Sequence, residues 1–172
     1  MVSLALSWGN LGIFLHCMDR QMILGIDPGL DGGLAILTKG SKIELLETIP
    51  TESKGGFIKR QVDTQELARI LRPFSDAEVW LESVASRPGQ GVASVFSFGD
   101  TYGAIRGVLG ALEMKVNTIT PTKWKKELKI SSKEDSLKAI KDLNFGLNLR
   151  KKDHNLAEAL LIAYYGQNHG KI

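Results

Sequence analysis

The sequence predicts an α/β fold with a five-stranded mixed sheet, made of three antiparallel and two parallel strands and flanked by helices. Three short apolar segments separated by turn residues open the region from residue 22, which predicts an antiparallel meander. Two further apolar segments alternate with helical patterns, and right-handed crossovers make such strands parallel. Without a short helix that starts at Pro121, the predicted order of elements is therefore βββαβαβαα.

The strands are predicted from short apolar runs that end at turn residues. They cover residues 22–27, 33–38, 42–49, 77–82 and 115–119. Residues 54–60 hold two glycines and basic groups, and we interpret them as a loop. A polar, glycine-bearing loop follows the fourth strand.

The helices are predicted from apolar periodicity and from their end signals. They cover residues 63–71, 92–112, a short stretch from Pro121 around Lys123 and Trp124, 132–143, and 153–165. Asp63 or Thr64 is the expected N-cap of the first, and Pro73 stops it. Trp124 is expected to point inward.

Length and composition favour one domain, residues 22–172, because 172 residues suffice for one full core and are too few for two. Residues 1–21 form an N-terminal extension of unclear role. They are interrupted by Trp8-Gly9-Asn10 and lack a basic start, so we expect neither a signal peptide nor a membrane contact. A translation start at Met18 or Met22 is a hypothesis.

Positive charge is concentrated late in the chain, although the formal net charge is only +3. Residues 123–152 contain ten cations and four acids. Such a cluster suits the phosphate backbone of a nucleic acid. A solvated helical face is the equally acceptable structural interpretation.

Four acidic residues stand where the predicted sheet would bring them together. They are Asp27 on the first strand, Glu82 at the end of the fourth, and Asp153 and Glu158 at the last helix. Phosphodiester hydrolysis needs an acidified water and a neutralised leaving oxygen, which two divalent ions about 4 Å apart supply. Oxygen ligands suit Mg²⁺ or Mn²⁺ better than Zn²⁺. Taken singly, each acid also fits a turn, a cap or a solvated surface position.

His154 precedes Glu158 by four residues, so both side chains fall on one helical face. Asp153 is less well aligned and reaches the site only from the helix start. His154 is a candidate ligand, general base or proton relay, while a histidine near a helix end is also commonly a surface group.

Five segments in order carry a family resemblance. They are GIDPGLDGGLAIL, WLESV, GQGVASVFSFGDTYGAIRGVL, TPTKWKKEL and RKKDHNLAEALLIAYYG. Over residues 22–166 they resemble the RuvC-type Holliday-junction resolvases of the ribonuclease H-like superfamily, particularly the phage and chloroplast branch. That branch has Gly-Arg where Asn155-Leu156 stands here, so a cation near the site is lost.

The resemblance implies a Mg²⁺-dependent endodeoxyribonuclease that resolves four-way DNA junctions by paired nicks, with two ions per active site and Mn²⁺ able to substitute. The implied metal-binding and catalytic residues are Asp27, Glu82, Asp153, His154 and Glu158. Better-known bacterial members carry two acids three residues apart on the last helix. Because Asn155 lies three before Glu158, whether Asp153 or His154 takes that role stays open.

The resemblance also implies residues that contact DNA. The candidates are Gln90, Lys123, Lys125, Lys126, Lys151 and Lys152. Phe96 and Phe98 fall in the segment that approaches the junction centre, with core packing as the alternative for each. Together with the single cysteine, Cys17, the resemblance implies a reducing compartment, such as the cytoplasm of a bacterial or phage-infected cell, with an organelle left open.

A homodimer is expected, because symmetric nicking of opposed strands needs two active sites related by a two-fold axis. The helix over residues 92–112 carries Gly99, Gly103, Gly107 and Gly110 and is the candidate interface, with packing against the sheet as the alternative. Three other functions stay open. They are a broader flap or branched-DNA nuclease, a non-catalytic nucleic-acid-binding module, and, more distantly, a phosphate-binding hairpin like that of the actin and sugar-kinase superfamily at GIDPGLDGG.

Overall fold

A computed structural model of the chain describes residues 21–53, 55, 60–86 and 89–170. Cys17 and nearly all of the predicted N-terminal extension therefore lie outside the described residues, and the expectations about them stay predictions. Met22 is buried in the hydrophobic core.

The framework is a five-stranded mixed sheet. The strands of the described residues are β1 (Ile23–Asp27), β2 (Gly33–Thr38), β3 (Lys42–Thr48), β4 (Thr51–Ser53), β5 (Arg60–Val62), β6 (Glu78–Glu82) and β7 (Val116–Ile119). The main sheet has the order β3-β2-β1-β6-β7, with β1–β2 and β2–β3 antiparallel and β1–β6 and β6–β7 parallel. This arrangement confirms the predicted ribonuclease H-like fold.

The helices also agree with the predicted pattern to within a few residues. They are α1 (Thr64–Leu71), α2 (Val92–Ala111), α3 (Pro121–Glu127), α4 (Lys133–Asp142) and α5 (His154–His169). Asp63 caps α1 by accepting a hydrogen bond from the Glu66 amide at 2.9 Å. A 3-10 turn, Lys151–Asp153, leads into α5.

The predicted loop over residues 54–60 was wrong at its end, because Arg60 is the first residue of β5. Strands β4 and β5 pair antiparallel as a separate two-stranded sheet, with Thr51 opposite Val62 and Ser53 opposite Arg60. Each strand is three residues long, which is too short to show an alternating apolar pattern. The pairing therefore left little trace in the sequence.

Both faces of the sheet are covered. Leu24 and Ile26 of β1 belong to the core cluster that includes Leu67 of α1 and Leu109 of α2. Ile23 belongs to the opposite cluster, which α3, α4 and α5 complete. This double coverage explains why the central strands are nearly continuous apolar runs.

Helix α5 lies directly on the backbone of β1 and β2. A Cβ placed on Gly25 would overlap backbone atoms of Ala159 and Ala163, and one on Gly33 would lie 2.8 Å from the Asn155 carbonyl oxygen. Only glycine allows this approach. The two glycines therefore set the height of α5 above the strand that carries Asp27.

The glycines of α2 behave differently. Gly99, Gly103, Gly107 and Gly110 are exposed, and a Cβ on any of them would meet no atom of the described residues within 4 Å. Helix α2 packs on the sheet through other residues, such as Ile105 and Leu109. The alternative of packing against the sheet therefore holds for the apolar face of α2, while its glycine face contacts no other element of the described residues. Across that same part of the chain, no helix is both long and apolar enough to cross a membrane.

Candidate active site

Asp27 and Glu82 meet because of the strand register. Parallel pairing sets Ile26 of β1 opposite Leu81 of β6, so the next residue of each strand falls at the same sheet edge. Both carboxylates line one open cavity of about 460 Å³, together with Gln90 and Phe98. Sequence spacing alone anticipated this convergence at the carboxyl ends of parallel strands.

Glu158 joins the site from α5 and is 8% exposed. It lines a second cavity of about 300 Å³ with Asp27, Lys125 and His154, which we call the carboxylate cavity. The Lys125 ammonium donates to both carboxylate oxygens of Glu158, at 3.0 and 2.9 Å, and the Ser136 hydroxyl donates at 3.3 Å. These donors compensate a charge that burial would otherwise penalise.

Glu82 is held by an indole. Trp124 is fully buried, as predicted for an inward anchor, and its Nε1 donates to the Glu82 Oε2 at 2.7 Å. The Lys125 ammonium also lies 5.0 Å from the centroid of the Trp124 ring. The short helix α3 therefore brings one donor to each of two carboxylates.

The electrostatics of the site show a crowding of negative charge. Burial, followed by the charges of Glu82 and Glu158, raises the pKa of Asp27 to about 7, against the smaller opposing effects of Lys125 and Lys133. Burial also raises the pKa of Glu82, while the Trp124 hydrogen bond lowers it. A carboxyl that titrates near neutrality in a cleft is typical of a functional site.

His154 lines the carboxylate cavity. Its Nε2 lies 2.8 Å from the Lys133 ammonium, and its Nδ1 lies 3.3 Å from the Lys151 carbonyl oxygen. An ammonium can only donate, so the network assigns the proton to Nδ1 and leaves Nε2 as an acceptor.

Asp153 is not brought into this group. Its carboxylate accepts from the Arg150 backbone N–H at 2.9 Å and from the Arg150 Nε at 3.1 Å, and these bonds lower its pKa. It lines neither cavity that contains Asp27. Asn155 lines both, and its amide donates to the Asp31 carbonyl oxygen at 2.6 Å.

The predicted DNA-contact residues are distributed around this edge. Gln90 lines the cavity of Asp27 and Glu82, and Phe96 is 63% exposed nearby at the start of α2. Lys123 and Lys126 are exposed on α3, and Lys151 pairs with Glu134 at 2.9 Å. Their contact with DNA stays a prediction.

Oxygen donors of this kind fit a hard divalent cation. In the arrangement described, however, no three His, Cys, Asp or Glu side chains among residues 21–53, 55, 60–86 and 89–170 form a metal-binding group. At Glu158, the Lys125 ammonium occupies both carboxylate oxygens. The donor chemistry fits, and Lys125 is the group that a cation would have to displace.

Sequence reasoning missed several residues that complete the site. Lys133 was counted only as part of a charge cluster, and Ser136 and Asn155 were not assigned to the site. The positions of Lys133 and Ser136 relative to Glu158 depend on how α4 packs against α5, whereas Asn155 lies on α5 with Glu158. The Ser132 cap, which accepts from the Asp135 amide at 3.1 Å, was the available signal for where α4 begins.

No protein-family model matches this sequence, and no curated protein does either. The fold aligns with that of RuvC from Thermus thermophilus, with a TM-score of 0.62 and 20% identity over 87% of this chain and 97% of that chain. T. thermophilus RuvC in complex with a Holliday junction substrate aligns with a TM-score of 0.64 and 19% identity over the same shares, 87% and 97%. The yeast mitochondrial Holliday junction resolvase Ydc2 aligns with a TM-score of 0.48 and 18% identity over 82% and 75%. The two T. thermophilus alignments confirm the predicted resemblance at the level of the fold.

Proposed function

We propose that the protein is a structure-selective DNA endonuclease that resolves four-way junctions by paired symmetric nicks. The observation that carries the proposal is the convergence of Asp27, Glu82 and Glu158 at one edge of a RuvC-like sheet. The T. thermophilus protein of the same fold binds a Holliday junction substrate, which supports branched DNA as the substrate here.

Asp27, Glu82 and Glu158 would hold two divalent ions, Mg²⁺ with Mn²⁺ as a substitute. Such ions acidify the attacking water and neutralise the charge of the leaving oxygen. The raised pKa of Asp27 supports this assignment, because crowded carboxylates favour any group that brings positive charge. Lys125 would then release Glu158 and become free to bind phosphate.

Between the two candidates on the last helix, we assign the active-site role to His154. His154 and Glu158 line the same cavity, whereas the Asp153 carboxylate is held by Arg150. The neutral imidazole would accept a proton at Nε2 while the Lys151 carbonyl fixes its Nδ1–H. Asp153 would hold the turn that presents His154.

The DNA backbone would cross this edge along Lys123, Lys126, Lys151 and Lys152. Each neutralised phosphate of duplex DNA adds about 0.9 to the slope of log affinity against log salt concentration. Gln90 and Phe96 would reach the junction centre. A homodimer, with its two sites related by a two-fold axis, would place one nick on each opposed strand.

The test is cleavage of a labelled synthetic four-way junction with Mg²⁺, compared with flap and linear duplex substrates. Glu82→Gln should lower the rate by ~10³-fold or more, as expected for a group that stabilises the transition state. Glu78→Gln, at the other end of the same strand β6, is the matched control and should remain active.

Three outcomes separate the alternatives. Paired nicks on the junction alone, lost in Glu82→Gln, support a resolvase. Equal cutting of flaps would instead indicate a broader branched-DNA nuclease. Junction binding without metal-dependent cutting, unchanged in Asp27→Asn, would contradict the proposal and leave a non-catalytic binding module.

A further inference from the structure

A cavity of about 680 Å³ adjoins the active site on the side of β5, and we call it the hairpin cavity. Its charged lining consists of three cations, Arg60, Lys133 and Lys152, and one carboxylate, Asp31. The excess of positive charge contrasts with the three carboxylates next to it. A cleft lined mainly by positive charge raises the local concentration of negatively charged groups of a ligand.

The hairpin cavity adjoins the carboxylate cavity. Lys133, His154 and Asn155 line both of them. A polyanionic chain that passes the carboxylates would therefore reach the cations of the hairpin cavity without leaving the surface. Arg60 and Lys152 line the hairpin cavity and not the carboxylate cavity, whereas Lys133 lines both.

Arg60 is held against the turn that follows Asp27. Its Nη2 donates to the Asp31 Oδ1 at 2.7 Å, and the Asp31 carbonyl oxygen accepts from the Asn155 amide at 2.6 Å. The side chain of Arg60 is 46% exposed. A guanidinium has five N–H donors in a fixed planar array, so donors remain for a second acceptor such as a phosphate.

We propose that Arg60, with Lys133 and Lys152, binds a backbone phosphate of the cleaved strand next to the scissile phosphate. The inference rests on the proposed nuclease function and adds a contact from the β4–β5 hairpin. Arg60 is a positioning residue, because it would fix the strand in register while the carboxylates act on the neighbouring phosphate. Arginine suits this role, since it pairs with phosphate oxygens through two parallel hydrogen bonds.

The first experiment measures affinity for a fluorescent four-way junction in EDTA over a range of salt concentrations. Arg60→Gln should weaken binding about tenfold, the loss expected for a hydrogen bond to a charged group. Its slope of log affinity against log salt should fall by about 0.9. Arg60→Lys should recover most of the slope, because it keeps the charge.

Lys42→Gln is the matched control. Lys42 is an exposed cation paired with Glu44 at 2.8 Å, and it lies at the end of the sheet opposite Asp27. Its replacement removes the same charge and should leave the affinity and the salt slope unchanged. An equal loss in both variants would overturn the proposal, because it would reflect net charge alone.

The second experiment locates the phosphate. Six junctions are prepared, and each carries a single neutral methylphosphonate at one of the first three linkages on either side of the cut. At the contacted linkage, Arg60→Gln should cause no further loss of affinity beyond that of the methylphosphonate. At the other linkages, the free-energy losses from the substitution and from the methylphosphonate should add. Additive losses at all six linkages would overturn the proposal.

The two proposals fail in different ways. A wild-type protein that neither binds nor cuts a junction overturns the nuclease function and this inference with it. A wild-type protein that cuts the junction, combined with an Arg60→Gln variant that matches Lys42→Gln in affinity and salt slope, overturns this inference alone.

Discussion

Two glycine-lined surfaces of this fold differ in what they contact. Gly25 and Gly33 on the sheet have no room for a Cβ, because α5 lies on their backbone. On α2, Gly99 and Gly103 belong to a glycine face where a Cβ would meet no atom of the described residues within 4 Å. The contact with α5 accounts for the glycines on the sheet, whereas no contact of the described residues accounts for the glycines on α2.

The contrast matters for the active site. Close contact at Gly25 and Gly33 lowers α5 onto the strand that carries Asp27, and α5 carries His154 and Glu158. This approach brings Glu158 near Asp27, whose pKa is raised first by burial and then by the charges of Glu82 and Glu158. The open face of α2 positions none of these groups.

Gly25→Ala should have the largest effect on folding. The new methyl group would overlap the backbone at Ala159 and Ala163, which cannot yield as a flexible side chain would. We expect a loss of about 3 kcal/mol or more in the free energy of unfolding. Thermal unfolding should show a melting temperature lower by about 6–12 °C. A variant as stable as wild type would contradict the close packing of α5 on β1.

Asp27→Asn tests the electrostatic consequence of that packing. The pKa of Asp27 is raised to about 7, first by burial and then by Glu82 and Glu158, so the folded state binds its proton more tightly than the unfolded chain. This contribution to stability is complete below the ordinary carboxyl pKa of about 4 and is lost as the pH rises through 7.

In EDTA at pH 8, Asp27→Asn should therefore be more stable than wild type by about 2 kcal/mol, at about 1.4 kcal/mol per pKa unit reduced by solvent screening. Near pH 4 the two proteins should unfold at similar denaturant concentrations. Urea titrations at the two pH values measure the difference. A stability gap that is the same at both pH values would show that folding does not raise the pKa of Asp27.

Much of the fold was predictable because its signals are local. The caps Asp63 and Ser132 mark helix starts, and the apolar runs of β1 and β6 end on the carboxylates that meet at the sheet edge. The β4–β5 pairing was not predictable, since three-residue strands show no period. The positions of Asp27 on β1 and Glu82 on β6 were predictable for the same reason, because each carboxylate ends a local apolar run.

The details of the site were less predictable because they depend on packing between helices. The contact of Lys125 with phosphate stays a prediction, and its pairing with Glu158 across the gap between α3 and α5 was not anticipated. Asp153 and His154 are adjacent, and neighbouring residues of a helix point about 100° apart. The four-residue spacing already places His154 on the face of Glu158. The contacts of Asp153 with Arg150 at the 3-10 turn Lys151–Asp153 could not be predicted from spacing.

Gly103→Ala should have the smallest effect and the opposite sign. Alanine fits the open face of α2 and is the better helix former by about 1 kcal/mol, so the isolated chain should gain roughly 0.5–1 kcal/mol in stability. The homodimer expected at this helix would respond differently, because the added methyl group would separate two closely packed backbones. Sedimentation equilibrium of Gly103→Ala beside wild type distinguishes the two cases. Weaker self-association together with a more stable monomer would indicate that a second copy covers the glycine face, whereas an unchanged dimer would place the interface elsewhere.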